Sequence, residues 1–405
     1  MRTHIFLLIF LPSMAFGQGY QVNLQGQVQQ GMGSAGTGLA QDASSLFFNP
    51  GAASFVHRNE ISIGTTLTMA RGAFLEHNTS ASANTVSPMS TPFTAYGLFQ
   101  VKDSSKLKLG LAVYTPFGST VEWEENWTGR FAITRLQLMA IFFQPTVSYQ
   151  ITDRIGFGAG FVYSYGKVNL QKDIPLLFQN GEYASVELAG TGHGFGYNLG
   201  LYVKATDWLS IGLTYRSQVN MKLKAGTATF TVPASVEDKF PSGEFVSTLP
   251  LPQVVTLGIG VKPTKNLSIA FDVNYVGWKA YDTLAFDYVT NTESLEDTKS
   301  PRNYKNTFAF RLGAQYAIGE KLKIRAGIGY AISPVQDGYV TPETPDANRI
   351  NYTIGVGYTF AEKFRIDVSF LYTQAEREDT NLETNLSGTF KTKVLAPGLS
   401  LSYIF

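Results

Sequence analysis

The stretch Leu267-Ser-Ile-Ala-Phe-Asp-Val-Asn-Tyr275 alternates between large apolar side chains and small or polar ones. Because successive side chains of a β-strand point to opposite faces, this pattern predicts a strand with one apolar face and one polar face. Residues 322–330 and 364–372 repeat the pattern, and each stretch also ends its apolar face with a tyrosine. Aromatic side chains at strand ends are typical of the membrane–water interface, so the pattern favours membrane-spanning strands.

Segments with this alternation recur along most of the chain. We count fourteen, at 58–70, 92–101, 106–116, 138–150, 155–170, 192–206, 208–218, 252–262, 267–278, 304–317, 322–333, 349–360, 364–375 and 395–405. Short connections alternate with long ones, of which the longest runs from Val219 to Leu251. Short periplasmic turns and long extracellular loops are typical of outer-membrane barrels. The sequence therefore predicts an all-β fold, a transmembrane antiparallel β-barrel of about fourteen strands over residues 57–405.

The composition agrees with a barrel and excludes several classes of protein. The 405 residues include no cysteine, 13% are aromatic, 16% are charged, and the net charge is +1. Soluble domains usually carry about 25% charged residues. A charge near zero argues against nucleic-acid binding, and the absence of cysteine excludes disulfides and thiolate chemistry. The acidic run Glu122, Glu124 and Glu125 lacks a calcium-loop pattern, and we expect no metal and no cofactor.

Both ends of the chain carry targeting features. A basic start, the apolar run 5–11 and the small residues in Ala15-Phe16-Gly17 predict a signal peptide over residues 1–17. At the other end, Leu399, Leu401, Tyr403 and Phe405 share one face of the last predicted strand. A terminal aromatic residue such as Phe405 resembles the signal read by the outer-membrane insertion machinery. We therefore expect a monomer in the outer membrane of a Gram-negative bacterium, surrounded by outer-membrane lipid.

Residues 18–56 do not alternate like the strands and are rich in Gly, Gln and Ser. A fourteen-stranded barrel is wider than the eight-stranded type that side chains alone can fill. We therefore predict that residues 18–56 form an N-terminal plug, or hatch, inside the lumen. The sequence Gly31-Met-Gly-Ser-Ala-Gly36 spells GxGxxG, but no strand–helix unit surrounds it, so it does not indicate a dinucleotide site.

A series of short motifs resembles the FadL/TodX family of outer-membrane transporters of long-chain fatty acids and other hydrophobic compounds. In chain order they are Gly31-Met-Gly-Ser-Ala-Gly36, Ala40-Gln-Asp-Ala-Ser-Ser-Leu-Phe-Phe-Asn-Pro-Gly51, Tyr114-Thr-Pro-Phe-Gly118, Trp127-Thr-Gly-Arg130, Tyr215-Arg-Ser217, Arg325-Ala-Gly327 and Ser333-Pro-Val335. Gly51 stands where the family usually has alanine. Ala331 and Ile332 precede the last motif, where some members carry an acid.

The resemblance implies uptake of a long-chain fatty acid or similar molecule. The ligand would be captured by the extracellular loops and held in an apolar pocket of the lumen. After a hatch rearrangement it would leave sideways near the third strand, at about 106–116. Arg130 would contact the head group, flanked by Trp127 and Phe131. Asn49, Pro50 and Gly51 would form the gating turn of the hatch, and for Arg349 we favour a structural role.

Other interpretations of the same strands remain open. The same fold could serve as an aromatic-hydrocarbon channel, an adhesin or a scaffold. A barrel enzyme such as a lipase would need catalytic residues, for which His77 and His193 are the candidates. The chain has no HExxH and no GxSxG motif, and we do not expect an enzyme. A propeller or a secreted sandwich would explain neither the unequal connections nor the final aromatic residue.

Overall fold

The alternating segments form antiparallel strands in the computed structural model, which describes residues 18–103 and 105–405. The predicted signal peptide, residues 1–17, lies outside the described residues. The strands are β1 (Glu60–Thr66), β2 (Met69–Glu76), β3 (Ser82–Asn84), β4 (Phe93–Gln100), β5 (Leu107–Glu122), β6 (Arg135–Gln150), β7 (Ile155–Leu177), β8 (Tyr183–Lys204), β9 (Leu209–Arg216), β10 (Val219–Thr231), β11 (Gly243–Leu251), β12 (Val254–Val261), β13 (Leu267–Val276), β14 (Thr283–Tyr288), β15 (Thr298–Pro301), β16 (Thr307–Ile318), β17 (Leu322–Ala331), β18 (Arg349–Phe360), β19 (Phe364–Thr380) and β20 (Ser387–Ile404).

The helices are all short. They are α1 (Gln27–Gln30), α2 (Ser45–Phe48), α3 (Pro50–Ala53) and two 3₁₀ turns, Ala234–Lys239 and Trp278–Ala280. In the described part of the chain, no helix has both the length and the apolar character needed to cross a membrane.

Fourteen of the strands close into a barrel. Each pairs antiparallel with the next in the order β1, β4, β5, β6, β7, β8, β9, β12, β13, β16, β17, β18, β19, β20. The ring closes where β1 pairs with β20, from Glu60 opposite Ile404 to Thr66 opposite Gly398. Lipid offers no hydrogen bonds to the backbone, and a closed ring satisfies most strand edges internally. The predicted fold class is therefore confirmed.

The two faces of the wall follow the alternation. In β13, Phe271 is exposed on the outside, whereas Asp272 and Asn274 are buried in the lumen. The Asn274 amide donates to the Thr256 hydroxyl of the neighbouring β12 at 2.6 Å. The apolar face predicted from the sequence is thus the lipid face, and the polar face is the lumen wall.

The sheet extends beyond the predicted strands on the side of the long connections. β7 continues to Leu177, and β8 begins at Tyr183. The prediction of a loop from Val219 to Leu251 is wrong. That region contains the hairpin β10–β11, and β10 also pairs with β8. The inner face of β10 carries apolar residues, but its outer face carries Lys222. Strands beyond the lipid need no apolar outer face, so the membrane pattern does not identify them.

The hatch segment, residues 18–56, is hydrogen-bonded to strands around the lumen. The Asp272 carboxylate of β13 accepts bonds from the main-chain N–H groups of Gly36 and Thr37, at 2.9 and 3.0 Å. On another part of the wall, Arg365 of β19 lies 3.3 Å from Asp42 of the hatch. Charge-assisted contacts on different strands fix the hatch in position.

Helix α3 contacts the wall through Gly51. A methyl group added at Gly51 would lie 2.7 Å from the carbonyl oxygens of Gly156 and Gly200 and 2.9 Å from the Tyr202 nitrogen. These are main-chain atoms of β7 and β8, which cannot yield as a side chain would. Glycine at position 51 therefore permits close packing of the hatch against the wall.

Gly51→Ala is expected to lower the free energy of unfolding by about 1–3 kcal/mol, because the added methyl overpacks a rigid contact. Denaturant unfolding of the refolded protein in lipid would measure this. Gly243→Ala is the matched control, since its added methyl would meet no atom within 4 Å. Equal stability of both variants and the parent would contradict this account of the hatch contact.

Candidate functional site

The barrel wall is interrupted between β4 and β5. β4 begins at Phe93 and pairs with β5 only as far as Tyr114. β5 continues beyond this point, and its pairing with β6 shifts register between Tyr114 and Phe117. Residues 115–121 of β5 therefore do not pair with β4, and we name this interruption of the wall the gap. The gap ends where Val86 donates to the Glu122 carbonyl at 2.7 Å.

The start of the hatch supplies the missing partner of β5. Val22 donates its N–H to the Pro116 carbonyl at 2.8 Å, and Gly118 donates to the Tyr20 carbonyl at 3.0 Å. Pro116 has no N–H of its own, so it leaves no donor unpaired on a wall edge. Residues 18–22, named the hatch strand below, thus complete the ladder from inside the lumen.

A cavity of about 400 Å³ lies between the hatch strand and the gap, and we name it the lumen cavity. Both edges of the gap contribute to its lining, with Arg71 and Pro92 on one side and Phe117 on the other. Its apolar lining residues include Val22, Leu24, Phe117, Leu138, Leu371 and Val394. The lumen cavity therefore reaches the interrupted part of the wall.

The charged side chains of the lumen cavity are mainly arginines. Arg71, Arg311 and Arg349 line it together with one acid, Asp346. Arg71 and Arg311 donate hydrogen bonds to oxygen atoms of neighbouring residues. The Nε atom of Arg349 is buried and has no hydrogen-bond partner in the described chain. Arg349 thus brings a buried N–H donor without a protein partner to this cavity.

Asp346 joins the extracellular loop before β18 to the hatch strand. Its carboxylate accepts from the main-chain N–H groups of Gln18 at 3.1 Å and Gly19 at 3.0 Å, and from the Ser333 hydroxyl at 2.7 Å. Burial raises the pKa of the Asp346 carboxyl, and the nearby Arg349 guanidinium opposes that rise. The position of the hatch strand therefore depends on an acid next to the unpartnered arginine.

A second, smaller pocket of about 50 Å³ adjoins the lumen cavity on the side of the long connections, and we name it the outer pocket. Its apolar lining residues are Tyr20, Leu136, Leu138, Val168, Leu170, Met221, Leu223, Leu249, Tyr281, Leu284 and Phe286. Tyr20, Leu138 and Thr344 line both cavities. The charged residue of the outer pocket is Glu343, which pairs with Arg302 at 2.6 Å.

The three predicted ligand-binding residues lie together in the connection between β5 and β6, but they do not line either cavity. Arg130 donates to the carbonyl of Trp127 at 3.0 Å, lies 3.9 Å from Asp173, and stacks over the ring of Tyr183. Phe131 packs edge-on against Tyr183 and is 37% exposed. The ligand contact of these residues stays a prediction.

Trp127 is part of an aromatic core beneath that connection. Its ring stacks on Trp123 at a centroid distance of 4.4 Å and meets Phe74 edge-on at 5.8 Å. Its indole N–H donates to the Ile133 carbonyl at 2.9 Å, and its side chain is buried. These contacts give Trp127 a structural role whether or not a ligand reaches it.

The predicted gating residues lie at the far end of the hatch from the hatch strand. The Asn49 side chain caps α3 by accepting from Gly51 at 2.9 Å, and it donates to the carbonyls of Thr37 and Leu201 at 3.0 Å. Pro50 opens the helix, where its missing N–H costs nothing. Asn49, Pro50 and Gly51 therefore hold the hatch to β8, and their gating role stays a prediction.

The two candidate catalytic histidines lie apart and outside the lumen. His193 is exposed on the outer wall, where its Nδ1 atom bonds with the Tyr163 hydroxyl at 2.6 Å. His77 bonds with Thr389 at 3.1 Å and lies 3.8 Å from Glu378, whose side chain is 74% exposed. That distance is too long for the hydrogen bond that orients a catalytic imidazole. In the described ranges, no three His, Asp or Glu residues group closely enough to hold a metal ion.

Sequence reasoning singled out Arg349 but favoured a structural role for it, and it missed the cavity residues Asp346 and Tyr20. The block Pro345-Asp-Ala-Asn-Arg349 was a usable signal, because it places an acid and an arginine at the entry to a strand. The contact of Asp346 with the hatch strand spans more than 300 positions of sequence, and no local pattern reveals it.

A closed fourteen-stranded barrel, an occupied lumen and a cavity at a gap in the wall define a plugged barrel of the outer-membrane type. The family described as outer membrane protein transport protein (OMPP1/FadL/TodX) matches residues 8–405, and the chain belongs to this family. It is therefore an outer-membrane transport protein of the FadL/TodX type, located in the outer membrane of a Gram-negative bacterium.

Two curated relatives are similar over most of their length. Outer membrane protein P1 of Haemophilus influenzae is 24% identical, with 93% of each chain covered. The long-chain fatty acid transport protein of Escherichia coli O6:H1 is 22% identical, over 91% of this chain and 89% of that protein.

Two solved structures share the fold. The Pseudomonas aeruginosa FadL homologue superposes with a TM-score of 0.83 at 18% identity, covering 95% of this chain and 99% of that one. The P. putida toluene transporter TodX gives 0.75 at 17% identity, covering 96% and 99%. Members of the family are transport proteins, which agrees with the expectation that this chain is not an enzyme.

Trp127→Ala is expected to lower the free energy of unfolding by about 3–5 kcal/mol, because it removes a buried ring from an aromatic stack. Phe131→Ala, in the same connection, is the comparison. It should lower the free energy of unfolding by less than about 1 kcal/mol, since the Phe131 ring is partly exposed. Denaturant unfolding of both variants would measure the difference. Equal effects would contradict the structural role of Trp127.

Proposed function

We propose that the protein takes up long-chain fatty acids or similar amphipathic carboxylates. The observation that carries this proposal is the Arg349 guanidinium, whose Nε atom has no partner in the described chain, in a cavity otherwise lined by many apolar side chains. A carboxylate with a long tail matches both features, because its charge pairs with the arginine and its chain covers the apolar lining.

The tail supplies most of the affinity in this proposal. Each buried methylene contributes about 0.8 kcal/mol, so a long acyl chain gains on the order of 10 kcal/mol before the costs of binding. A charge-assisted hydrogen bond adds about 1.5–3 kcal/mol. The arginine therefore orients the ligand and selects carboxylates, while the apolar lining holds it.

The ligand would enter from the extracellular side. The outer pocket lies among the strands that extend beyond the membrane, and it shares Tyr20, Leu138 and Thr344 with the lumen cavity. A ligand captured by the extracellular loops would pass through this apolar pocket and reach Arg349. Arg130 stays the predicted head-group contact on the loop surface.

The ligand would leave sideways through the gap between β4 and β5. The hatch strand covers this gap, since it is bonded to Pro116 and Gly118 of β5. A ligand carboxylate at Arg349 would place a second negative charge near Asp346, and like charges repel. Asp346 holds Gln18 and Gly19, so this repulsion would weaken its bonds to the hatch strand. Release of the hatch strand would join the lumen cavity to the membrane, which is the hatch rearrangement this proposal requires.

The second candidate is a channel for neutral aromatic hydrocarbons. It is favoured by the outer pocket, whose lining in the described chain has one charged residue, Glu343. The charge of Glu343 is neutralised by Arg302. The solved structure of a toluene transporter shares this fold. A neutral ligand would gain nothing from Arg349, and this difference separates the two candidates.

Arg349→Gln is expected to weaken binding of hexadecanoate about ten- to a hundredfold, because a charge-assisted contact is lost. Binding of hexadecanol, which has the same tail without the charge, should change less than about threefold. Titration of both ligands into the purified protein would measure the two affinities. Equal losses for acid and alcohol, or no loss for either, would contradict a carboxylate contact at Arg349.

Arg130→Gln is the matched variant for this titration. The Nε atom of Arg130 also lacks a hydrogen-bond partner, but Arg130 lines neither cavity, pairs with Asp173 at 3.9 Å and donates to two main-chain carbonyls. We therefore expect a change of less than about threefold for hexadecanoate. A larger loss in Arg130→Gln than in Arg349→Gln would move the head-group contact back to the residue predicted from the sequence.

The chain has no cysteine, so a single engineered disulfide can hold the hatch strand against β5. Gln21 and Phe117 form an antiparallel bridge, a spacing that a disulfide can span. Uptake of hexadecanoate by cells carrying Gln21→Cys with Phe117→Cys should stop under oxidising conditions and return with a reductant.

Ser62→Cys with Ser402→Cys provides the control disulfide, because it joins β1 and β20 of the wall away from the hatch strand. Uptake through this variant should be the same with and without reductant. Continued uptake with the hatch strand cross-linked would contradict the lateral route, but it would not contradict the proposed binding site.

A further inference from the structure

Two rings of outward-facing aromatic side chains mark the membrane on the outer wall. One ring, near the short turns, includes Tyr149, Phe157, Trp208, Tyr316, Tyr358, Phe364 and Phe405. The other, towards the long connections, includes Tyr163, Tyr165, Phe195, Tyr197, Tyr275, Phe308 and Tyr352. Along β7, eight residues separate Phe157 from Tyr165, which corresponds to roughly 20 Å of membrane thickness for a tilted strand. The second ring thus lies at the head groups of the outer leaflet.

Three lysines lie at or immediately beyond the outer edge of this second ring, on β7 and β10. Lys222 of β10 pairs across the sheet with His193 of β8, which in turn pairs with Tyr165 of β7. Lys167 follows Tyr165 at the next outward position of β7, and Lys224 follows Lys222 on β10. All three lysine side chains are exposed on the outer wall.

The three lysines have no acidic partner. The ion pairs that lysines form in the described chain join Lys106 to Asp153, Lys204 to Asp207, and Lys391 to Glu376. Adjacent strands lie about 4.8 Å apart, so β7 and β10 are separated by roughly 10 Å across β8. Lysine side chains on strands about 10 Å apart can contact the same multivalent anion. The cluster therefore presents about three uncompensated positive charges beside lipid.

We propose that Lys167, Lys222 and Lys224 form a binding surface for the phosphate groups of a phosphorylated glycolipid in the outer leaflet. Charge complementarity favours this occupant, because phosphate monoesters carry more negative charge than the diesters of ordinary phospholipids. The aromatic ring below, with Tyr163, Tyr165 and Phe195, offers a flat apolar surface to the acyl chains of the same molecule. The lysines lie at the phosphate level and the rings at the start of the hydrocarbon.

This surface is independent of the transport route. It lies on β7, β8 and β10, whereas the gap lies between β4 and β5. Two lysines of β20 lie at the same level but have partners. Lys391 is neutralised by Glu376 at 2.7 Å, and the Lys393 ammonium lies over the Tyr372 ring.

Binding of purified diphosphorylated lipid A to the full-length protein in a non-ionic detergent tests the proposal. Native mass spectrometry would give the affinity of the parent and of the triple variant Lys167→Gln/Lys222→Gln/Lys224→Gln. A basic residue near an anionic lipid surface contributes about fivefold, so the triple variant should bind roughly a hundredfold more weakly. Lipid A stripped of its phosphates should bind parent and variant equally weakly.

The matched control is Lys102→Gln/Lys265→Gln/Lys321→Gln, which removes the same charge from exposed short turns at the other end of the barrel. It should bind lipid A like the parent, and heat-dependent gel migration would verify that both triple variants fold. Parent-like affinity of the Lys167/Lys222/Lys224 variant would overturn the proposal. Equally tight binding of dephosphorylated lipid A, or of phosphatidylglycerol, would overturn the assignment to a phosphorylated glycolipid.

Discussion

The hydrogen bonds between β5 and the hatch strand are the contacts on which the rest of the site depends. A backbone group facing lipid must be paired within the protein, and leaving one unpaired costs several kcal/mol. β5 departs from β4 after Tyr114, so its next residues need another partner. The main chain of Tyr20 and Val22 provides it from inside the lumen. In the closed conformation, the gap in the wall and the position of the hatch strand are therefore one structural feature.

The remainder of the hatch has to stay fixed for this arrangement to work. Its contacts with the wall use buried charge and close main-chain approach, as at Asp272, Arg365 and Gly51. Breaking a buried ion pair by removing one partner is strongly unfavourable, because it leaves an uncompensated charge. The hatch strand, by contrast, is held by main-chain hydrogen bonds, by Asp346 and by the buried Tyr20, whose hydroxyl donates to the Pro250 carbonyl at 2.7 Å. The body of the hatch is thus attached to the wall through buried ion pairs, whereas the hatch strand is attached through main-chain bonds, one acid and the packing of Tyr20 against Trp278 and Tyr281.

The barrel strands could be predicted from the sequence, because lipid imposes strict alternation on every residue that crosses it. β18 begins and ends where the pattern predicts, at 349 and 360. The hairpin β10–β11 was missed because strands beyond the membrane carry lysines such as Lys222 on their outer face. The site was only partly predictable. Arg130 and Arg349 both stood in recognisable blocks, but the spacing of a linear sequence does not encode that the Nε atom of Arg349 lacks a partner inside a cavity.

Under the proposed function, the same arginine that selects the ligand also controls the exit. A ligand can shift an equilibrium between two conformations only by the difference in its affinity for them. Asp346 lies near Arg349 and holds the hatch strand, so the negative charge of a bound carboxylate repels Asp346 and weakens the closed conformation specifically. A neutral hydrocarbon has no such difference in affinity and would depend on spontaneous opening. If opening in the absence of ligand is rare, carboxylates gain an advantage in rate beyond their advantage in binding, and a single charged side chain accounts for both.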